Sequence, residues 1–292
     1  MNNIDQQLEK FKKEILQIDS YQFFTNGLYQ KLLVYENALE VNNIPRKRSE
    51  ITDNNISASI NYGFKDYRSG GTSILGTTDF TFNECRSIEL ELKNRQYQFL
   101  LLHAFEAFEQ YLKSAEHFIN NKPITEKIKY FYPTKFIVNL HKSVPTISRI
   151  IKIRNEDNSD FLDEINLLLT FSTIEQIRHQ ITHASGYANN KSDFIMKCLN
   201  RIGRYNNGKP KSEHINYFDS FFGSHEYENW ICLIELRDSK NSFFYFDRLG
   251  KLVEELVGYI FLIHDDIKHL ISETQAISEA ATLVNPLAVP SA

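Results

Sequence analysis

The stretch IRHQITHASG, residues 177–186, sets an arginine and two histidines within six positions and closes on a glycine. Those residue types admit several chemistries. His179 and His183 stand four apart, the spacing of a helical metal-ligand pair. Arg178 offers a forked, permanently charged donor for phosphate oxygens. Histidine titrates near neutrality and can move a proton to or from a hydroxyl. An arginine–histidine set suits RNA, whose 2′-hydroxyl is an internal nucleophile that needs neither a metal nor a bound water. Against all of these stands a plain solvated helix end.

A helix turns about 100° per residue, so Glu175, Arg178, His179, Thr182 and His183 share one arc of roughly 140°. Ile174, Ile177, Ile181 and Ala184 cover the opposite side. Extending the arc towards the N-terminus brings Leu168 and Phe171 onto the ribbon's side, which predicts an apolar contact surface beside the polar cluster. Metal is disfavoured: Gln180 stands where HExxH requires glutamate, no further ligand cluster offers itself, and Arg178 repels a cation. Arg178 and His183 lie about 140° apart and about 7.5 Å along the axis, too divergent to meet on one atom. Two copies related by a two-fold axis would bring both to a shared groove, with Leu168 and Phe171 as the packing surface.

The elements that must position this ribbon are mostly helical. Residues 4–18 and 21–39 show helical periodicity and are expected to form a hairpin. From VNNIPRKRSE to about Phe82 the chain reads as a long loop with a short strand at most, opened by the basic tetrad Pro45-Arg46-Lys47-Arg48. Most such clusters are solvated loop. From Cys85 to about Asn120, Leu101, Phe105, Phe108, Leu112, Ala115 and Ile119 recur at steps of three and four, one buried stripe. Glu106, Glu109, Lys113 and Glu116 run beside it, with Glu109 and Lys113 spaced for an i,i+4 pair. Pro123, Pro133 and Pro145 break up the next segment, and RNEDNSD, 154–160, supplies caps for a second long helix over about 160–185, stopped by Gly186. A short helix over 192–203, a β-hairpin over about 229–247, a last helix from Asp247 to Glu273 and a flexible tail over 274–292 complete the pattern.

The net charge of −4 supplies no global positive field, although a phosphate site needs only a few cations. Three scattered cysteines, Cys85, Cys198 and Cys232, form neither zinc spacing nor a disulfide framework, which suits a reducing compartment. The N-terminus lacks a signal-peptide pattern and the apolar runs are too short to span a bilayer, so the expectation is a cytoplasmic protein without a membrane partner.

Arg178-His179-Gln180-Ile181-Thr182-His183 resembles the RX4–6H motif of the HEPN superfamily, with four intervening residues and a polar one directly after the arginine. FEAFEQYLKSA, 105–115, is similar to the first core helix of several prokaryotic branches, and a late hairpin with a closing helix has parallels there. The likeness covers roughly residues 85–272, and only the six-residue motif is diagnostic. It implies a mainly α, HEPN-like helical bundle over 85–273, with a small β-hairpin insertion before the last helix. Residues 1–84 become an N-terminal helical extension outside it.

The resemblance implies a metal-independent, cofactor-free endoribonuclease that dimerises to build a composite site, as in toxins and antiviral or abortive-infection effectors. Arg178 would hold the scissile phosphate, His183 would be the general acid/base and His179 would assist. RNA, a second copy and an antitoxin or sensor protein are the implied partners. The family also includes members that only bind nucleotide, so the alternative is a non-catalytic module binding nucleotide or protein. Glu175, Thr182, Glu109, Glu106 and Tyr187 are accessory candidates. Each has an ordinary reading beside it: a surface ion pair for Glu175, a solvated stripe for Glu106 and Glu109, and packing for Tyr187.

Overall fold

A computed structural model describes residues 4–41, 56–65, 71–120, 131–144, 164–203, 212–219, 221–223, 228–236 and 245–284. The basic tetrad 45–48, the capping stretch 154–160, Pro123, Pro145 and residues 285–292 lie outside them. In order come α1 (Ile4–Val41), β1 (Ile56–Lys65), β2 (Thr72–Thr81), α2 (Phe82–Ile119), α3 (Pro133–Ser143) and α4 (Glu164–Ala184). There follow α5 (Lys191–Arg201), α6 (Ser212–Asp219), β3 (Ile234–Leu236), β4 (Tyr245–Asp247) and α7 (Arg248–Val284). The fold is mainly helical, and the antiparallel pair β3–β4 immediately precedes the last helix, as expected. No helix among the described residues is long and apolar enough to cross a membrane.

The chain forms two compact units, residues 1–19 with 98–292 and residues 20–97. The first is centred on aromatic packing between α2, α4 and α7. Phe108 stacks on Phe171 with centroids 5.3 Å apart, and Tyr259 meets Phe171 edge-on at 4.8 Å. Leu101, Phe105, Leu112 and Ala115 of α2, with Ile174, Ile177 and Ile181 of α4, are buried as their periodicity predicts. A polar chain ties the first turn of α1 to this core. Tyr111 Oη lies 2.7 Å from His264 Nδ1, and His264 Nε2 lies 3.0 Å from Asp5 Oδ1, which also accepts from Lys268 Nζ at 2.9 Å. Burial pushes the Tyr111 hydroxyl above its ordinary range, so it keeps its proton. The Asp5 carboxylate, held ionised by Lys268 and His264, only accepts, so His264 Nε2 donates to it.

Within the second unit β1 and β2 pair antiparallel along nearly their whole length, with register shifts between Ile56 and Ala58 and between Tyr62 and Gly63. A reciprocal capping box starts α2: the Thr81 N–H donates to Glu84 Oε2 at 2.7 Å and the Glu84 N–H to Thr81 Oγ1 at 3.3 Å. The Thr81 donors hold the Glu84 carboxyl below its usual range.

Four expectations are corrected. The helical hairpin over 4–18 and 21–39 is the single helix α1. Asp19-Ser20 resembles a cap, yet Ile18, Gln22 and Tyr29 are buried at helical spacing across it, so an unbroken helix keeps one continuous packed side. The long loop contains two ten-residue strands, β1 and β2. The tail expected from residue 274 is helical to Val284. Phe171, expected on a face that packs and offered there as a contact for a second copy, is fully buried within the chain, because α2 and α7 close over that part of α4; Leu168 is half-buried.

The Phe108–Phe171–Tyr259 cluster predicts that Phe171→Ala costs about 3–5 kcal/mol. Urea unfolding of both forms measures this, and a loss below about 1 kcal/mol contradicts the packing.

Candidate functional site

The motif occupies the last two turns of α4. That helix stops on two left-handed residues, Ser185 at φ +50° and Gly186 at φ +78°. The Gly186 N–H donates to Gln180 O at 3.1 Å and the Tyr187 N–H to Ala184 O at 3.0 Å. Gly186 O in turn accepts from Ile231 N at 2.9 Å, and Ala188 N donates to Asn229 O at 2.8 Å. The helix end is thus stitched to the segment leading into β3. A Cβ on Gly186 would lie 2.5 Å from Oε1 of Gln98, a buried side chain whose Nε2 donates to Ile231 O at 2.7 Å. Glycine is required here twice over, by its φ and by this contact.

The ribbon divides into two chemically distinct groups. Arg178 turns towards α2. Its Nη1 is 3.4 Å from Glu109 Oε2, and its guanidinium carbon sits 5.5 Å from the Phe105 ring centre. Lys113 Nζ holds the other Glu109 oxygen at 2.6 Å. Glu109 is buried, so two cations compensate one desolvated carboxylate, while the Arg178 side chain keeps 41% of its surface exposed. Arg178, Glu109, Lys113, Glu106, His103 and Lys10 line a cleft of about 440 Å³.

His179 and His183 form the other group. Both are exposed, with ring centroids 4.7 Å apart. Partial burial holds the His179 pKa below the usual 6.5, and His183, Lys197 and Arg201 add to this. The imidazole of His179 is therefore mainly neutral at pH 7 and able to accept a proton. Lys197 and Arg201, four apart on α5, add positive charge beside the pair, which makes this a local basic patch on an acidic chain.

The accessory candidates separate. Glu109 joins Arg178 and is buried, so it is not part of a solvated stripe; Glu106 lines the same cleft. Glu175 does not brace Arg178: its Oε1 accepts from Thr134 N at 2.8 Å and its Oε2 pairs with Arg201 at 3.1 Å. Burial raises the Glu175 pKa against these partners. Thr182 Oγ1 donates back to Arg178 O at 2.9 Å. Tyr187 lies near-parallel to Trp230 with centroids 6.4 Å apart. Sequence reasoning missed Gln98, Lys197 and Arg201. The Lys197/Arg201 spacing was visible, whereas nothing local marks Gln98. Among the described residues no group of three or more His, Cys, Asp or Glu is arranged to hold a metal.

Two outcomes check this geometry. Gly186→Ala should cost at least about 1–2 kcal/mol from its left-handed φ alone, read as a lowered Tm. An unchanged Tm contradicts the left-handed conformation of Gly186. In an NMR titration His179 should have its midpoint below 6.5, since its folded pKa is lowered; the stability it contributes is lost as pH falls from 6.5 through that midpoint. Removing the neighbouring charge in His183→Gln should raise the His179 midpoint towards 6.5, and no movement means that the rings are not coupled.

No protein-family model, no curated protein and no solved structure matches this chain.

Proposed function

We propose that this chain is a metal-independent endoribonuclease of the HEPN type. The observation that carries the reading is the exposed His179/His183 pair beside Lys197 and Arg201, on the same helix end as a half-exposed, Glu109-braced Arg178. A neutral imidazole takes the 2′-hydroxyl proton, the 2′-oxygen bonds to phosphorus, and the bond to the 5′-oxygen breaks. That oxygen leaves with a proton from an imidazolium. The products are a 2′,3′-cyclic phosphate and a 5′-hydroxyl, with no water consumed. His183 is the general acid/base and His179 its partner. Arg178 offsets charge on the non-bridging oxygens.

Arg178 faces the cleft while the imidazoles lie apart from it, so a second copy is proposed to complete the site. A reducing, intracellular setting, an antitoxin or sensor partner and a role as toxin or antiviral effector belong to the same proposal.

Purified wild type should cleave single-stranded RNA in the presence of EDTA. His183→Ala should lose roughly 10²–10⁴-fold in rate with its fold intact, because general acid–base catalysis supplies about that much. Undiminished cleavage by His183→Ala rejects the proposal.

The cleft lined by Arg178 favours one further reading, a non-catalytic module that binds nucleotide or a protein segment there. It predicts no cleavage of any RNA by wild type, and ligand binding lost in Arg178→Ala.

A further inference from the structure

The distal half of α1 carries an apolar stripe that is exposed among the described residues. Tyr21, Phe24, Leu28, Leu32 and Tyr35 are all exposed, Phe24 at 66% and Leu28 at 64%. At about 100° per residue they fall within one arc of roughly 80°. Phe23, Val34 and Val41, also exposed, lie outside it. On the edge facing α2 the stripe borders a groove of about 210 Å³ lined by Leu28, Leu32, Tyr29 and Leu92, and Leu92 is itself 57% exposed. We infer that this stripe and groove form a two-fold interface with a second copy of the same chain, α1 packing antiparallel on α1.

The spacing of the stripe carries the choice of occupant. Its steps are three, four, four and three, and so read the same in both directions about Leu28. An antiparallel two-fold at Leu28 sets Leu28 against Leu28, Phe24 against Leu32 and Tyr21 against Tyr35. Every apolar residue then faces an apolar one, as an isologous interface requires. A parallel or heterologous partner has no need of that symmetry.

Area and charge agree. At about 100 Å² for each half-exposed large side chain, the five α1 residues with Ile88 and Leu92 offer roughly 700 Å² per copy, close to the roughly 800 Å² of a standard interface. Residues 20–41 hold three charged side chains, Lys31, Glu36 and Glu40. Within this stretch of α1 one lysine stands against two glutamates, with no cluster of cations to draw nucleic acid or anionic lipid.

This interface stands on the second unit alone and does not depend on RNA cleavage, and mass is its readout. Full-length wild type should sediment as a dimer across the micromolar range. Leu28→Glu should weaken the dimer on the order of a hundredfold or more, with its helical circular dichroism unchanged because Leu28 is exposed in the single chain. A disulfide-linked dimer should form under oxidation from Leu28→Cys alone. Phe24→Cys should cross-link only when mixed with Leu32→Cys, which fixes the antiparallel register. The inference is overturned by a wild-type monomer throughout that range, including one that binds neutral lipid vesicles. It is equally overturned by a dimer that Leu28→Glu leaves intact and in which Leu28→Cys forms no cross-link, since that dimer is held elsewhere on the chain.

Discussion

The contact on which the site depends is Phe108 against Phe171, closed by Tyr259. It fixes the rotation of α4 relative to α2. With Phe171 against α2, Arg178, seven residues on and on the same side of α4, also faces α2, while Ile174, Ile177 and Ile181 fill the core and His179 and His183, further round the arc, are exposed. On α2, the residue after Phe108 is Glu109, which that rotation delivers to Arg178. One aromatic contact thereby sets both the exposure of the imidazoles and the bracing of the guanidinium.

Electrostatics then separates the two halves of the motif. Glu109 is shared between Arg178 and Lys113, so the arginine is held in place without losing its open side. On the imidazole side no carboxylate among the described residues pairs with the two rings, and partial burial, His183, Lys197 and Arg201 all favour neutral His179. Glu175, which the helical wheel sets between these halves, is occupied by Thr134 and Arg201 and pairs with neither Arg178 nor the imidazoles. The result is a permanently charged donor on one side of α4 and proton-transfer groups on the other.

Much of this was legible in sequence where a regular period carried it. The α2 stripe, the isoleucine side of α4, the Gly186 stop and the late hairpin all follow from local spacing. What failed did so for identifiable reasons. Ile56, Ala58, Ile60, Tyr62 and Phe64 alternate at strand period, but the Ser, Asn and Gly between them read as loop. The T-x-x-E box that starts α2 was also present, at Thr81 to Glu84. Asp19-Ser20 imitated a helix start inside α1. Phe171 lies at the edge of the polar arc, and a wheel alone cannot say which neighbouring helix covers that edge. Glu109 could be placed on the charged side of α2, but its burial against Arg178 depends on the packing of two helices distant in sequence. Gln98 and its bond to Ile231 O, across 133 positions, has no local signature.

The central claim is that two imidazoles and an arginine direct RNA's own hydroxyl onto phosphorus. Mass spectrometry of the fragment ends released by purified protein under a chelator tests it most directly. The account predicts 2′,3′-cyclic phosphates and 5′-hydroxyls. Fragments ending in 3′-hydroxyl and 5′-phosphate, or RNA left intact, would contradict it.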